Sequence, residues 1–187
     1  ILGEGQLSLT KFLWVTDQAV DLRDARATLT HLLERFRPET DLYVLSNVSM
    51  DTLDYSGPEI NLGSKGILLG LGDPIRTLPK EWRGELPPGV TQAAAFCPGC
   101  LVVSGPKYHE DPDWASNLAQ AFPDWPLVCV VDDAEPVAAS PVRFLWAVFT
   151  RFEPAADIYA ASTRVQRHHV VYEGTIVIDS RMKPPYP

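Results

Sequence analysis

The sequence has no long apolar run. No stretch reaches the roughly 18 to 20 apolar residues that a helix needs to cross a bilayer, so no membrane span is expected. Cations are scarce: 16 Lys and Arg stand against 24 Asp and Glu, for a net charge of −8. That deficit argues against nucleic-acid and anionic-membrane partners, which need clustered Lys and Arg. Cysteine is rare and odd in number, with Cys97, Cys100 and Cys129, so no disulfide framework is expected and a reduced, cytoplasmic setting is the default. The start, Ile1-Leu2-Gly3-Glu4, has neither the basic stretch nor the apolar run of a signal peptide. It also lacks an initiator Met, so the expectation is a piece of something longer rather than a chain with a cleaved leader.

The 187 residues suffice for one sizeable domain or two small ones, and 45% hydrophobic with 21% charged residues is ordinary for a globular protein. The most informative feature is an echo. Arg35-Phe36-Arg37-Pro38-Glu39-Thr40-Asp41-Leu42-Tyr43 returns as Arg151-Phe152-Glu153-Pro154-Ala155-Ala156-Asp157-Ile158-Tyr159, six of nine positions matching when the Leu/Ile exchange is counted. Upstream, an apolar run ends in Asp17 in the first copy and in Asp132-Asp133 in the second, 18 and 19 positions before the repeated Arg. Such an echo points to duplication of a supersecondary unit.

The pattern predicts a buried strand over 11–16, then a helix over 22–36 capped by Asp21, with Leu22, Ala25, Leu29, Leu32, Leu33 and Phe36 on one stripe and Pro38 ending it. A strand over 42–45 and an apolar run at 67–71 follow. A proline-rich stretch over 73–95 is the linker candidate, with the boundary near Pro88. Beyond it, strands are predicted at 100–104, 127–131, 158–161, 170–171 and 175–179. Helices are predicted from Asp111-Pro112 to Pro123 and from Ser140-Pro141 to Phe152, each opening with a cap and a proline. Lys183-Pro184-Pro185-Tyr186-Pro187 reads as a tail. The expected fold is α/β, a layered and mainly parallel sheet or pair of sheets flanked by helices, built from two related strand-helix-strand units over 1–88 and 89–187. One continuous domain is the alternative.

These residues resemble a family. Asp17, the helix, Arg35-Phe36 with Pro38 and Asp41, then Asp51-Thr52-Leu53-Asp54 and Gly63-Ser64-Lys65, stand in the order found in the C-terminal domain of the UbiD-type decarboxylases. The lead-in from Gly5 to Phe12 is similar as well. The second copy matches the family helix better, through Trp146-Ala147 and Thr150-Arg151 with Pro154 and Asp157; the first matches the Gly-Ser-Lys loop better. Two departures stand out: Gly70 occupies the place of a family Asp for which Asp179 is the second-copy counterpart, and a second unit is present at all. The resemblance implies reversible, non-oxidative decarboxylation of aromatic or α,β-unsaturated acids, with prenylated FMN, a divalent metal and potassium. It places the catalytic groups in parts that have no counterpart here. No catalytic or metal-binding residue is therefore carried over, and the implied role is non-catalytic: active-site cover and homo-oligomer assembly beside the protein's own N-terminal decarboxylase domain.

Each remaining constellation has a plain alternative. Arg35 with Asp41, and Arg151 with Asp157, could bind a ligand twice, but a duplicated pair is better explained as a brace at the helix-to-strand turn. Asp17, Asp132 and Asp133 lie at strand ends, where ligands bind in open α/β sheets, or they simply cap turns. Gly63-Ser64-Lys65-Gly66 could cradle a phosphate but is not a Walker sequence; a loop of positive-φ glycines is expected. Cys97-Pro98-Gly99-Cys100 is half a zinc ribbon or a redox pair, or else a tight turn into a buried strand. His168-His169 is expected as a surface pair, and Trp114, Trp125 and Trp146 as core or interface anchors. Besides the decarboxylase-segment reading, two others remain open: a free-standing α/β module binding a small ligand or a protein, and a zinc or redox protein acting through Cys97 and Cys100.

Overall fold

The computed structural model describes residues 5–184; the first four residues, and the last three residues of the tail, lie outside them. After a 3-10 turn at Gln6–Leu9 comes β1 (Phe12–Thr16), where the apolar run predicts a strand, but as an edge strand it is half-buried rather than buried. The helix α1 spans Ala25–Leu33. Its cap is Asp24, whose carboxylate accepts the Ala27 N–H at 3.0 Å. Asp21 instead accepts the Arg23 N–H in a turn before the helix, which leaves Leu22 80% exposed and off the apolar stripe. Of the other stripe residues, Leu29, Leu32, Leu33 and Phe36 are fully buried and Ala25 is half-buried.

Pro38 opens a one-turn helix, α2 (Pro38–Asp41), and β2 (Leu42–Ser49) follows. Strand β2 does not pair with β1. It runs antiparallel to β3 (Leu62–Gly70), and β3 lies parallel to β1, giving the order β1-β3-β2. The place parallel to β1 is taken by β3, which arrives one strand later, after the loop over 50–61. Gly66 and Gly70 are close-approach positions. A Cβ on Gly66 would sit 2.2 Å from the Phe12 ring, and one on Gly70 2.6 Å from the Leu32 Cα of α1.

The second sheet has five strands in the order β4-β5-β6-β10-β7. Strand β4 (Gln92–Cys97), which begins inside the expected linker, forms a hairpin with β5 (Cys100–Ser104) around Gly99, whose φ is +81°. Strand β6 (Leu127–Val130) is parallel to β5 and to β10 (Ile176–Asp179), and the two-residue β7 (Ile158–Tyr159) is antiparallel to β10. Both sheets are thus mixed rather than mainly parallel. The segment after Asp111 forms a 3-10 helix at Trp114–Gln120, where Ser116 and Asn117 side chains compete for the Asp113 carbonyl. The helix expected after Ser140 is α4 (Pro141–Phe149), preceded by the short α3 (Ala134–Ala139); the Ser140 hydroxyl accepts the Arg143 N–H. Then come α5 (Pro154–Asp157) and a hairpin of β8 (Ser162–Gln166) with β9 (His169–Glu173), turned by Arg167 and His168, both at positive φ.

The sets β1-β3-β2 and β6-β10-β7 have the same order and the same strand senses, and each outer antiparallel strand is preceded by a one-turn, proline-started helix. One apolar core joins them: Leu29, Leu32, Phe36 and Leu68 share it with Phe96, Phe144, Phe152 and Ile178. Phe96 stacks on Phe144 at 3.7 Å, and Phe12 and Trp14 of β1 meet Phe149 edge-on or tilted. A second cluster, with Trp114, Phe122 and Trp125, covers the other face of the larger sheet. None of the described helices is long and apolar enough to cross a membrane.

Replacing Gly66 by Ala is expected to destabilise the chain by about 1–3 kcal/mol through overpacking against Phe12. Denaturant midpoints will check this, and Phe12→Leu in the same chain should recover part of the loss.

Candidate functional site

The repeated residues take matching places. Asp17 and Asp132 follow the carboxyl ends of β1 and β6, each of which lies parallel to a neighbour. Asp17 Oδ2 accepts the Gly72 N–H at 3.0 Å and Asp132 Oδ2 the Met182 N–H at 2.9 Å, so each carboxylate ties its strand end to the segment leaving the adjacent parallel strand. Asp41 Oδ2 accepts the Arg37 N–H and Asp157 Oδ2 the Glu153 N–H, both at 2.7 Å, each closing the one-turn helix it ends. Pro38 and Pro154 start those turns and are buried.

The arginines do not pair with Asp41 or Asp157. Arg35 donates to the Gly72 carbonyl at 2.8 Å and to the His31 carbonyl at 2.8 Å; Arg151 donates to Asp132 Oδ2 at 3.1 Å. In both copies the guanidinium reaches the strand-end corner, because its side chain projects from the helix end toward the sheet rather than along the following turn. Asp157 pairs with Lys183 at 3.2 Å. Burial pushes the Asp157 carboxyl above its ordinary pKa, against the pull of Lys183 and the Glu153 N–H. Asp133 is exposed at the start of α3.

Gly63, Ser64 and Lys65 form no loop. They lie inside β3, buried, without positive φ. The Ser64 hydroxyl accepts the Ala155 N–H of α5 at 2.8 Å, capping an otherwise orphan donor in the other half of the chain. Lys65 donates to the Thr10 carbonyl at 3.1 Å and approaches the Met50 sulfur. A second strut runs beside it: Lys11 bridges Asp54 at 2.9 Å, Ser56 at 2.7 Å and the Phe152 carbonyl at 3.1 Å.

Sequence reasoning missed the ion pair at the end of β10. Asp179 and Arg181 are both fully buried, joined by Nε–Oδ1 at 2.9 Å and Nη2–Oδ2 at 2.7 Å. The remaining guanidinium protons go to the carbonyls of Pro106, Asp111 and Pro112. The strand registers make Leu69, opposite Val15, the counterpart of Asp179, opposite Val130; Gly70 is instead the position where α1 comes too close for a side chain.

Cys97 and Cys100 face each other across the β4–β5 turn, and all three cysteines are free and buried. A hydrogen bond with Cys100 draws the Cys97 thiol below its ordinary pKa, while burial pushes Cys100 well up. Among the described residues no group of three or more His, Cys, Asp or Glu is placed to hold a metal, so the zinc reading finds no ligand set. His168 is exposed on its turn, whereas His169 is partly buried against Tyr43, ring centroids 4.7 Å apart, so the two do not form a surface pair. Trp114 and Trp125 are core residues; Trp146 is 69% exposed. It lines a groove of about 460 Å³ with Val142, Val137, Asp132 and Arg151.

Among the described residues, the loop and the carboxylates singled out from the sequence do not fit prenylated FMN or its metal. The backbone over 63–66 is engaged in β3 between two neighbouring strands, Lys65 lies beside the Thr10 carbonyl and the Met50 sulfur, and the carboxylates of Asp17, Asp41, Asp132, Asp157 and Asp179 are engaged by the chain's own N–H groups or cations.

Comparison with known proteins agrees with the resemblance carried by the motifs. Residues 1–70 match the family model of the 3-octaprenyl-4-hydroxybenzoate carboxy-lyase C-terminal domain. The whole chain is 46% identical, over 187 residues, to 32% of an uncharacterized protein of Chlamydia trachomatis. It is also 46% identical, over 188 residues, to 32% of a Chlamydia pneumoniae protein named as one of the subunits of 4-hydroxybenzoate decarboxylase. An uncharacterized protein of Archaeoglobus fulgidus is 36% identical over 85 residues, 46% of this chain and 16% of that protein. The chain spans about a third of the length of the chlamydial relatives it matches. No solved structure matches.

Arg181→Met is expected to cost about 3–5 kcal/mol by leaving Asp179 buried and unpaired, read as a lowered denaturant midpoint. Burial and the carboxylates of Asp157 and Asp179 push Tyr159 from 10 up to about 12. Between those values the folded chain keeps a proton that the unfolded chain has lost, so stability should fall as pH rises from 10 toward 12. Tyr159→Phe should lessen that slope.

Proposed function

We propose that this chain is the C-terminal, non-catalytic part of a UbiD-like carboxy-lyase acting on aromatic or α,β-unsaturated acids, and that it serves assembly and active-site cover. The observation that carries this reading is the full-length likeness to about a third of a protein named for 4-hydroxybenzoate decarboxylase, joined to a family match over residues 1–70. Prenylated FMN, its divalent metal and potassium would then be held elsewhere in the parent protein. The cytoplasmic setting belongs to the same reading and accords with three free thiols.

The shared order and senses of β1-β3-β2 and β6-β10-β7, with carboxylates at equivalent corners, support a tandem duplication of one unit, with the boundary near Pro88. On this reading the copies have since become joined by one core and by the Ser64 and Lys11 struts. The assembly face is the outer side of α4, where Val142 is 77%, Trp146 69% and Leu145 39% exposed beside the groove. Adjacent exposed apolar side chains of this size mark a contact surface. Its proposed occupant is the decarboxylase part of the same protein or a further copy of it.

Two measurements test this. The isolated chain should not decarboxylate 4-hydroxybenzoate even with prenylated FMN and metal supplied; turnover by the chain alone would overturn the non-catalytic role. Trp146→Arg with Val142→Arg, made in the protein that includes the preceding region, should lower the assembled mass seen by sedimentation without lowering the melting temperature of the isolated chain. An unchanged mass would remove α4 as the assembly face.

A further inference from the structure

A second, larger cavity of about 850 Å³ adjoins the α4 groove at Arg151, which lines both. One wall comes from the first half of the chain, with Tyr55, Ser56 and Pro58, and the other from the second half, with Tyr108, Arg151, Met182 and Lys183. It opens beside the carboxyl ends of the parallel strands β6 and β10, the side on which open α/β sheets bind ligands. Its volume falls in the range of about 300–1,000 Å³ typical of small-molecule sites.

The wall chemistry selects a ligand class. Arg151 uses only Nη1, toward Asp132; among the described residues its Nε and Nη2 have no hydrogen-bond partner, and the side chain is 26% exposed. A guanidinium with a free edge accepts a flat oxyanion. Lys183 supplies charge but no free donor, since its ammonium is held by the Arg151 carbonyl at 3.3 Å, the Asp179 carbonyl at 2.8 Å and Asp157 at 3.2 Å. Tyr108 is fixed as an apolar wall, its ring 5.3 Å from both the Arg181 guanidinium and the Lys183 ammonium. Tyr55 and Met182, 64% and 58% exposed, complete the apolar sides. The loop carrying Tyr55 and Ser56 is held in place by the Lys11–Asp54 pair.

We infer that this cavity is a binding site for a small organic anion, a carboxylate or phosphate head on the free edge of Arg151 with an apolar body between Tyr55, Tyr108 and Met182. Because the two walls belong to different halves, occupancy would clamp the halves together. This inference stands whether or not the parent protein is a decarboxylase.

The test is titration calorimetry on the full chain with phenylacetate, phenyl phosphate and inorganic phosphate. Saturable binding of phenylacetate or phenyl phosphate is expected, and whichever binds more tightly identifies the head group. Arg151→Gln should weaken it roughly tenfold or more, the loss of a charge-assisted hydrogen bond. Met182→Trp, a change of an exposed side chain, should block the cavity and abolish binding while the melting temperature of the free chain stays unchanged. No saturable binding to the unsubstituted chain, or binding that survives Met182→Trp, would overturn the site. Inorganic phosphate binding as tightly as phenyl phosphate would overturn the apolar part of the ligand.

Discussion

The contact on which the second half depends is the buried pair of Asp179 and Arg181. Both side chains are withdrawn from water, which is costly for two charges unless every donor and acceptor is met. Here the guanidinium meets both carboxylate oxygens and three carbonyls from the segment over 106–112. That segment lies outside the strands, so the ion pair positions it against the sheet. Its place next to Tyr108 and Lys183 means that the same pair shapes the wall of the cavity between the two halves.

Around that centre, carboxylates do mechanical work at the corners of the sheets. Asp17 and Asp132 each tie a strand end to the segment leaving its parallel neighbour, and Asp41 and Asp157 each close a one-turn helix. A short acidic side chain suits these places because it accepts a backbone N–H that the strand or turn would leave unpaired. The repeated arginines reinforce the strand-end corners, though by different routes: Arg35 reaches the Gly72 carbonyl and Arg151 reaches Asp132 itself. That difference leaves one edge of Arg151 free at the larger cavity, while Arg35 is 7% exposed. Two similar corners therefore differ in what they can offer a ligand.

The halves hold together through contacts of high sequence separation. Ser64 caps α5, Lys11 reaches Phe152, and the rings of Phe12 and Trp14 pack on Phe149. The Gly-Ser-Lys triplet reads locally as a loop because glycine and serine are turn formers. In the fold it is a buried strand segment whose glycine makes room for Met50, as Gly66 just after it does for Phe12, and whose polar side chains meet partners on other elements. Residue type predicts the freedom of such a backbone; only neighbours decide whether that freedom serves a turn or a close approach.

Much of the local structure was legible without coordinates. The existence of the strand before Asp17, though not its burial, the apolar stripe from Leu29 to Phe36, the Ser140-Pro141 helix start and the tight turn at Pro98-Gly99 follow from periodicity, capping chemistry and glycine, which act over a few residues. The ordered motifs also carried the likeness to the carboxy-lyase C-terminal domain. What the tertiary structure decided was pairing: which strand lies beside β1, which carbonyls receive Arg181, and which carboxylate receives Arg151. Those choices depend on distances between residues up to about 140 positions apart, of which Lys11 and Phe152 are one case. No periodicity in a linear sequence records such a distance, because it is set only when the core closes.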